Sequence, residues 1–223
     1  MASVAEIEAR AAVRHGGPEM LNARLAHPRP REEIVATPPD RWLAEATRCI
    51  FQAGFSWQLI DRKWPAFEDA FEGFDIHRWS MMSEDDLDRL LKTEGLVANA
   101  AKLRSVGGNA TFFRQILDEA GSIGAWFADW PATDYFGLLD LMKKRGNRLG
   151  GRTGQIFLRR MGVDSLVLSA DVCAALIAAG IVDREPKTKG ELRATQDALD
   201  AWMAESGRPM TQISQILGLS ADA

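Results

Sequence analysis

Between Leu141 and Val163 the chain carries seven basic residues, Lys143, Lys144, Arg145, Arg148, Arg152, Arg159 and Arg160, and no Asp or Glu. The whole protein of 223 residues is acidic, with a formal net charge of −4. A cationic segment kept inside an acidic chain calls for a local anionic partner, although a Lys/Arg run also serves as a solvated helix face. The glycines inside the segment narrow the choice. A helical run from Tyr135 to Lys144 meets Gly146-Asn147-Arg148-Leu149-Gly150-Gly151, and a second helical run starts near Thr153. Glycine lets the backbone take positive φ and approach a ligand closely, and the amides that open the following helix favour an anion. No Gly-Lys-Ser/Thr occurs, which argues against a nucleoside triphosphate. A nucleic-acid backbone fits better. Further on, an extended link from Ser165 to Ala170 delivers Asp171, an acid at the start of another helix.

Helices must position these groups. Alternation with a period of two is almost absent and the element boundaries carry helix caps, which predicts an all-α fold. Apolar content of 46% and charged content of 26% are ordinary for a globular chain. No apolar run approaches the roughly 18 residues of a membrane span, and the first residues lack a signal-peptide core. The expectation is a cytoplasmic protein with no membrane partner. Cys49 and Cys173, with His15, His27 and His77, lack the spacing of a zinc or iron–sulfur site, so no metal and no cofactor is expected.

Residues 1–40 read as an N-terminal arm: a short helix from Ala2 to Arg14, then proline-rich loops. Asp40 is placed to cap a helix from Arg41 to Gln52, with Trp42, Ala46, Cys49 and Ile50 on one face. Separate helices are predicted over Ser56–Lys63 and Pro65–Glu72, the latter opened by its proline. Another starts at Ser83, and a long one from Val97 to Leu117 has a weak point at Gly107-Gly108. Asp171–Ala179, a helix capped by Thr188, and Met210–Leu217 complete the chain.

The hairpin residues Leu149, Gly150, Gly151, Arg152, Thr153 and Gly154, with the link to Asp171, resemble the helix-hairpin-helix DNA glycosylase superfamily. A second likeness lies at Gln52-Ala53-Gly54-Phe55-Ser56-Trp57, which is similar to the Gln-Ala-Gly-x-Ser-Trp loop of the DNA-3-methyladenine glycosylase I family. It continues through Phe67–Phe71, Phe74-Asp75, Glu94–Val97, Lys102-Leu103, Gly108–Ala110 and Lys143–Gly146, covering about residues 42–162. Several short blocks in the family's order are more specific than any one of them. The resemblance implies a two-lobed helical bundle with a helix-hairpin-helix motif over residues 41–223. Lobe A would comprise about 41–55 plus 165–223, and lobe B about 56–164.

The same resemblance assigns roles. Arg148 and the hairpin residues 149–154 would grip a DNA phosphate, with Arg145 and Arg159 extending the basic face. Gln52 and Phe55 would wedge the base stack while the damaged base is extruded. Trp57, Cys49 and Phe51 would line the base pocket, where an indole face favours a cationic alkylated purine. Asp171 would be the catalytic carboxylate, stabilising the oxocarbenium character of the sugar. The chain departs from the 3-methyladenine family in four ways. That family generally lacks this Asp; Cys49 stands where it has a base-reading Glu; its base-reading Tyr has no counterpart, the single tyrosine, Tyr135, lying far from the N-terminal arm; and its Cys/His zinc ligands are missing here. Arg152 stands near the position at which bifunctional relatives carry a Schiff-base Lys, and arginine cannot serve as that nucleophile. The expectation is a monomeric, monofunctional DNA repair glycosylase acting on double-stranded DNA that carries a damaged, alkylated purine. The alternative is a non-catalytic module of the same fold that recognises damaged or distorted DNA.

Overall fold

The computed structural model describes residues 2–221, and those residues contain no strand. In chain order the helices are α1 (Val4–Arg14), α2 (Pro18–Asn22), α3 (Arg31–Val35), α4 (Pro39–Gln52), α5 (Trp57–Ala70), α6 (Ile76–Trp79) and α7 (Glu84–Lys92). Then follow α8 (Ala100–Ala120), α9 (Ile123–Ala128), α10 (Tyr135–Arg145), α11 (Gly151–Arg160), α12 (Ala170–Ala178), α13 (Lys189–Ser206) and α14 (Met210–Ser220). Reciprocal capping boxes open α1 (Ser3/Glu6), α7 (Ser83/Asp86) and α13 (Thr188/Glu191), satisfying amides that have no partner within the helix. The all-α expectation is borne out.

The chain divides into two units. A terminal unit comprises Met1–Arg29, Trp130–Leu138 and Gly162–Ala223, and a central unit Pro30–Asp129 and Leu139–Met161. These are not the lobes expected from the sequence. Residues 41–55 belong to the central unit, because Trp42 and Phe51 on α4 are fully buried in its aromatic core. Trp42 stacks on Phe127 at 4.8 Å and meets Phe157 edge-on at 5.9 Å.

Nor are the first 40 residues an arm. Val4, Ile7, Ala11 and Ala12 form a buried stripe on α1, which packs against α14 within the terminal unit. The Ala2 amide donates to the Ala179 carbonyl at 3.2 Å, and Trp202 Nε1 donates to the Ala2 carbonyl at 3.1 Å. The prolines break the helix after α1 but have no bearing on its apolar face.

Within the central unit the helices differ from expectation at three points. Pro38, not Asp40, occupies the N-cap of α4, and Asp40 lies in its first turn. Pro65 sits inside a single helix α5 instead of separating two. The proline costs one backbone bond, but a run of stacked rings, Trp64 on Phe67 and on Phe74 at 5.5 Å each, holds the segment together. Helix α8 runs unbroken through Gly107-Gly108, whose missing side chains admit neighbours. A Cβ at Gly107 would lie 2.9 Å from Met82 Cβ, and one at Gly108 would lie 2.1 Å from Asn147 Nδ2.

Candidate functional site

The hairpin between α10 and α11 is held from below by one side chain. Asn109 on α8 is fully buried; its Oδ1 accepts from the Asn147 amide at 2.8 Å and its Nδ2 donates to the Asn147 carbonyl at 3.0 Å. Leu149 is fully buried and anchors the turn. Gly154 lies so close that a Cβ would meet the Leu149 carbonyl oxygen at 2.3 Å. Arg148 adopts a left-handed φ of 60° and is exposed, as are Gly151 and Arg152. Helix α11 has no side-chain cap, so its first-turn amides remain anion-binding donors. Of the predicted phosphate-binding set, Leu149 and Gly154 are packing residues that shape the turn, while Arg148, Gly150, Gly151, Arg152 and Thr153 form its accessible part.

The basic segment is less isolated than its sequence suggests, because acids reach it from elsewhere. Arg145 pairs with Glu119 on α8 at 2.7 Å, Lys144 with Asp140 at 2.6 Å, and Arg160 with Glu45 at 2.9 Å. Lys143 and Arg148 have no ion-pair partner among the described residues.

The loop after α4 presents one of its two predicted wedge residues. Phe55 is 39% exposed. Gln52 is buried and donates through Nε2 to Asp61 at 2.9 Å, so it stabilises the junction and is not displayed as a wedge. Phe51 likewise is no pocket wall: it is fully buried and meets Phe67 edge-on at 4.7 Å. Lys102 on α8 organises this loop. Its Nζ donates to the carbonyls of Ala53 at 2.6 Å and Phe51 at 3.3 Å, and lies 4.6 Å from the Phe55 ring centroid. Burial, helped by the nearby Arg148 charge, holds the Lys102 ammonium below its ordinary pKa.

Trp57 opens α5 and is half exposed. The Arg160 guanidinium stands over its ring, with Cζ 4.7 Å from the centroid. Arg160 Nη1 donates to Glu45 Oε1 at 2.9 Å and lies 3.9 Å from Cys49 Sγ. Glu45 and Cys49 are one helical turn apart on α4, and the Cys49 thiol points to Glu45 Oε1 at 3.5 Å. Burial, then the Glu45 charge, pushes the Cys49 thiol far above its ordinary pKa, so it stays neutral. Burial opposes the Arg160 charge, but its hydrogen bond to Glu45 and the surrounding anionic groups together raise its pKa. Trp57 and Cys49, predicted together, are thus joined by Glu45 and Arg160, which the sequence reading did not select as site residues.

Asp171 belongs to the terminal unit. The link expected over Ser165–Ala170 spans residues 163–169 outside any helix, Ala170 already opening α12, and is stitched to α14: the Ser165 amide donates to Thr211 Oγ1 and the Val167 amide to Ser214 Oγ, both at 3.1 Å. The Tyr135 hydroxyl donates to the Leu166 carbonyl at 2.6 Å. Ser169, not Asp171, caps α12 by accepting from the Val172 amide at 3.1 Å. Asp171 lies in the first turn, exposed, with no hydrogen-bond or ion-pair partner for its carboxylate among the described residues. Those residues contain no cluster of three or more His, Cys, Asp or Glu able to hold a metal ion, and no helix long and apolar enough to cross a membrane.

With this geometry in hand, likeness to known proteins is informative. Residues 47–135 match the family model for methyladenine glycosylase. The chain is 31% identical over 65 residues to DNA-3-methyladenine glycosylase 1 of Escherichia coli, a match covering 29% of this chain and 35% of that protein. It is 34% identical over 59 residues to DNA-3-methyladenine glycosylase of Haemophilus influenzae, covering 26% of this chain and 32% of that protein. The chain thus spans about a third of the length of the curated relatives it matches. The fold likeness extends further. The structure of 3-methyladenine DNA glycosylase I from Staphylococcus aureus superposes with a TM-score of 0.51 at 22% identity, over 70% of this chain and 92% of that one. Residues 47–135 therefore carry the sequence pattern of the methyladenine glycosylase family, in a chain that has the helical fold of 3-methyladenine DNA glycosylase I.

Proposed function

We propose that this protein is a monofunctional DNA repair glycosylase that hydrolyses the N-glycosidic bond of an alkylated purine extruded from double-stranded DNA. The observation that carries the reading is the central unit's combination of an exposed Phe55 beside Trp57 with an uncapped helix start behind the Gly150-Gly151 hairpin, on a glycosylase fold. The hairpin amides and Arg148 bind phosphate without regard to sequence, so affinity falls with salt. Phe55 fills the gap left by the extruded base, and Trp57 stacks on that base.

Asp171 supports hydrolysis. Since Ser169 caps α12, the Asp171 carboxylate is not consumed in capping. As the C1′–N bond breaks, positive charge grows on the sugar, which a carboxylate stabilises, and water then adds to C1′. With no lysine at the hairpin helix start, a Schiff-base step there is excluded and the product is an abasic site.

The test is release of free base from methylated duplex DNA, identified by mass spectrometry, for wild type and Asp171→Asn. Asp171→Asn is expected to lower release at least about 100-fold while DNA binding persists, the scale of losing one electrostatic stabiliser of a transition state. No release by wild type from any lesion, with salt-sensitive binding intact, would identify a DNA-binding module of the same fold instead.

A further inference from the structure

We infer that Arg160, held by Glu45 against Trp57, reads the extruded base, and that this base is an uncharged modified purine presenting hydrogen-bond acceptors, not a cationic N3- or N7-methylpurine. The inference rests on the glycosylase reading and narrows its substrate.

Three observations in the central unit carry it. The first is that a cation already occupies Trp57. With its Cζ 4.7 Å from the ring centroid, Arg160 covers one face of the indole and sets a positive charge beside any base stacked on the same ring, which opposes the π-attraction that would otherwise select a cationic base. The second is that the anions around Arg160 are already engaged among the described residues: Glu45 by Arg160 at 2.9 Å and Asp61 by Arg48 at 2.6 Å, while the Cys49 thiol is kept neutral by its burial. The third is an open set of donors. Among the described residues only Nη1 of Arg160 is engaged by hydrogen bonds, to Glu45 and Cys49. Nε and Nη2 remain, in the fixed fork of a guanidinium whose side chain is 25% exposed.

A base seated on half-exposed Trp57 therefore meets N–H donors and a positive charge. A carbonyl oxygen or an unsubstituted ring nitrogen accepts from such donors, as purine O6 and N7 do from arginine. A methylpurinium ion is repelled. The chemistry agrees with the electrostatics. When an uncharged base leaves, the electron pair of the C1′–N9 bond goes with it as a purine anion. The oxygen of water bonds to C1′, and the proton released from that water ends on the base. A guanidinium beside the departing base stabilises its negative charge, whereas a cationic base departs neutral and gains nothing from it.

The experiment compares single-turnover release from duplexes carrying one O6-methylguanine or one 1,N6-ethenoadenine with release of 3-methyladenine and 7-methylguanine from methylated duplex DNA. Wild type, Arg160→Met and Arg160→Lys are compared, with circular dichroism to establish folding. Wild type is expected to release an uncharged base at least about tenfold faster than either cationic one, a difference of about 1.4 kcal/mol in activation free energy. Arg160→Met should lose most of that preference and Arg160→Lys should keep part of it. If Arg160→Met does not fold, the wild-type preference and its change in Arg160→Lys decide the matter. A wild type that releases only the cationic bases, or an Arg160→Met protein that folds and keeps the wild-type ratio, overturns the inference while leaving the glycosylase reading standing. A wild type that releases no base from any duplex removes both.

Discussion

Replacing Asn109 with alanine should loosen the hairpin between α10 and α11 without touching any residue proposed to meet DNA. Asn109 makes a hydrogen bond of 2.8 Å and one of 3.0 Å to the backbone of Asn147 from a fully buried position. Each such bond contributes about 0.5–1.5 kcal/mol net, so the pair is worth about 1–3 kcal/mol. Because Asn147 is exposed, its freed amide and carbonyl can turn to water, which keeps the loss within that range instead of adding the penalty of buried unpaired groups. Asn109→Asp should be worse than Asn109→Ala above the aspartate pKa. It keeps the acceptor for the Asn147 amide but sets a buried negative charge against the Asn147 carbonyl. Urea denaturation measures the stability, amide exchange at residues 146–151 reports the hairpin, and duplex affinity at fixed salt reports the consequence. Each 1.4 kcal/mol taken from hairpin order should cost up to about tenfold in affinity. An Asn109→Ala protein within about 0.5 kcal/mol of wild type, with unchanged hairpin exchange, would refute the view that Asn109 holds the turn.

Other residues separate in the same way. Arg148→Gly should stabilise the protein by about 1 kcal/mol, by relieving the left-handed backbone of a non-glycine residue. The same change should reduce the salt slope of DNA binding by about 1, so thermal melts and salt titrations should move oppositely. Phe55→Ala should leave thermal stability nearly unchanged and weaken binding to lesion-bearing duplex, whereas Gln52→Ala should cost about 1 kcal/mol of stability through its part-buried bond to Asp61. At the start of α13, hydrogen bonds from the Thr188 and Lys187 amides lower the Glu191 carboxyl pKa to about 2. Its folded-state pKa is depressed, so its contribution is complete above the ordinary value of 4.5 and disappears as pH falls through about 2. Amide exchange in the first turn of α13 should rise across that window, and Glu191→Gln should remove the dependence.

Local features of the fold were legible in the sequence: the capped starts of α7 and α13, the turn at Gly146–Gly151, and the absence of strands among the described residues. Pro65 and the Gly107-Gly108 pair misled, because a stacked aromatic run tolerates the first and the approach of Met82 and Asn147 requires the second. The candidate site was half legible. Trp57, Phe55 and the hairpin stand in short contiguous motifs, but Arg160 reaches Glu45 across 115 residues and no local spacing signals that pairing. Charge counting within residues 141–163 likewise missed Glu119 and Glu45, which neutralise part of the basic run from other helices. Burial separated Gln52 and Phe51 from Phe55, a distinction between neighbours that residue type alone does not make.

The packing of α1 on α14 fixes an order of events during synthesis. Val4, Ile7 and Ala11 are made long before the surface that covers them, which residues 210–220 supply. Contacts so distant in sequence form slowly and carry a large loop-closure cost. The central unit, whose longer segment is the continuous run Pro30–Asp129, can begin to order while the chain is still growing. The link that carries Asp171 is anchored to Thr211 and Ser214, so the carboxylate acquires its scaffold only when α14 arrives. A chain interrupted before Met210 would thus own an assembled hairpin and Trp57 cluster but no fixed Asp171, and would leave the apolar face of α1 uncovered.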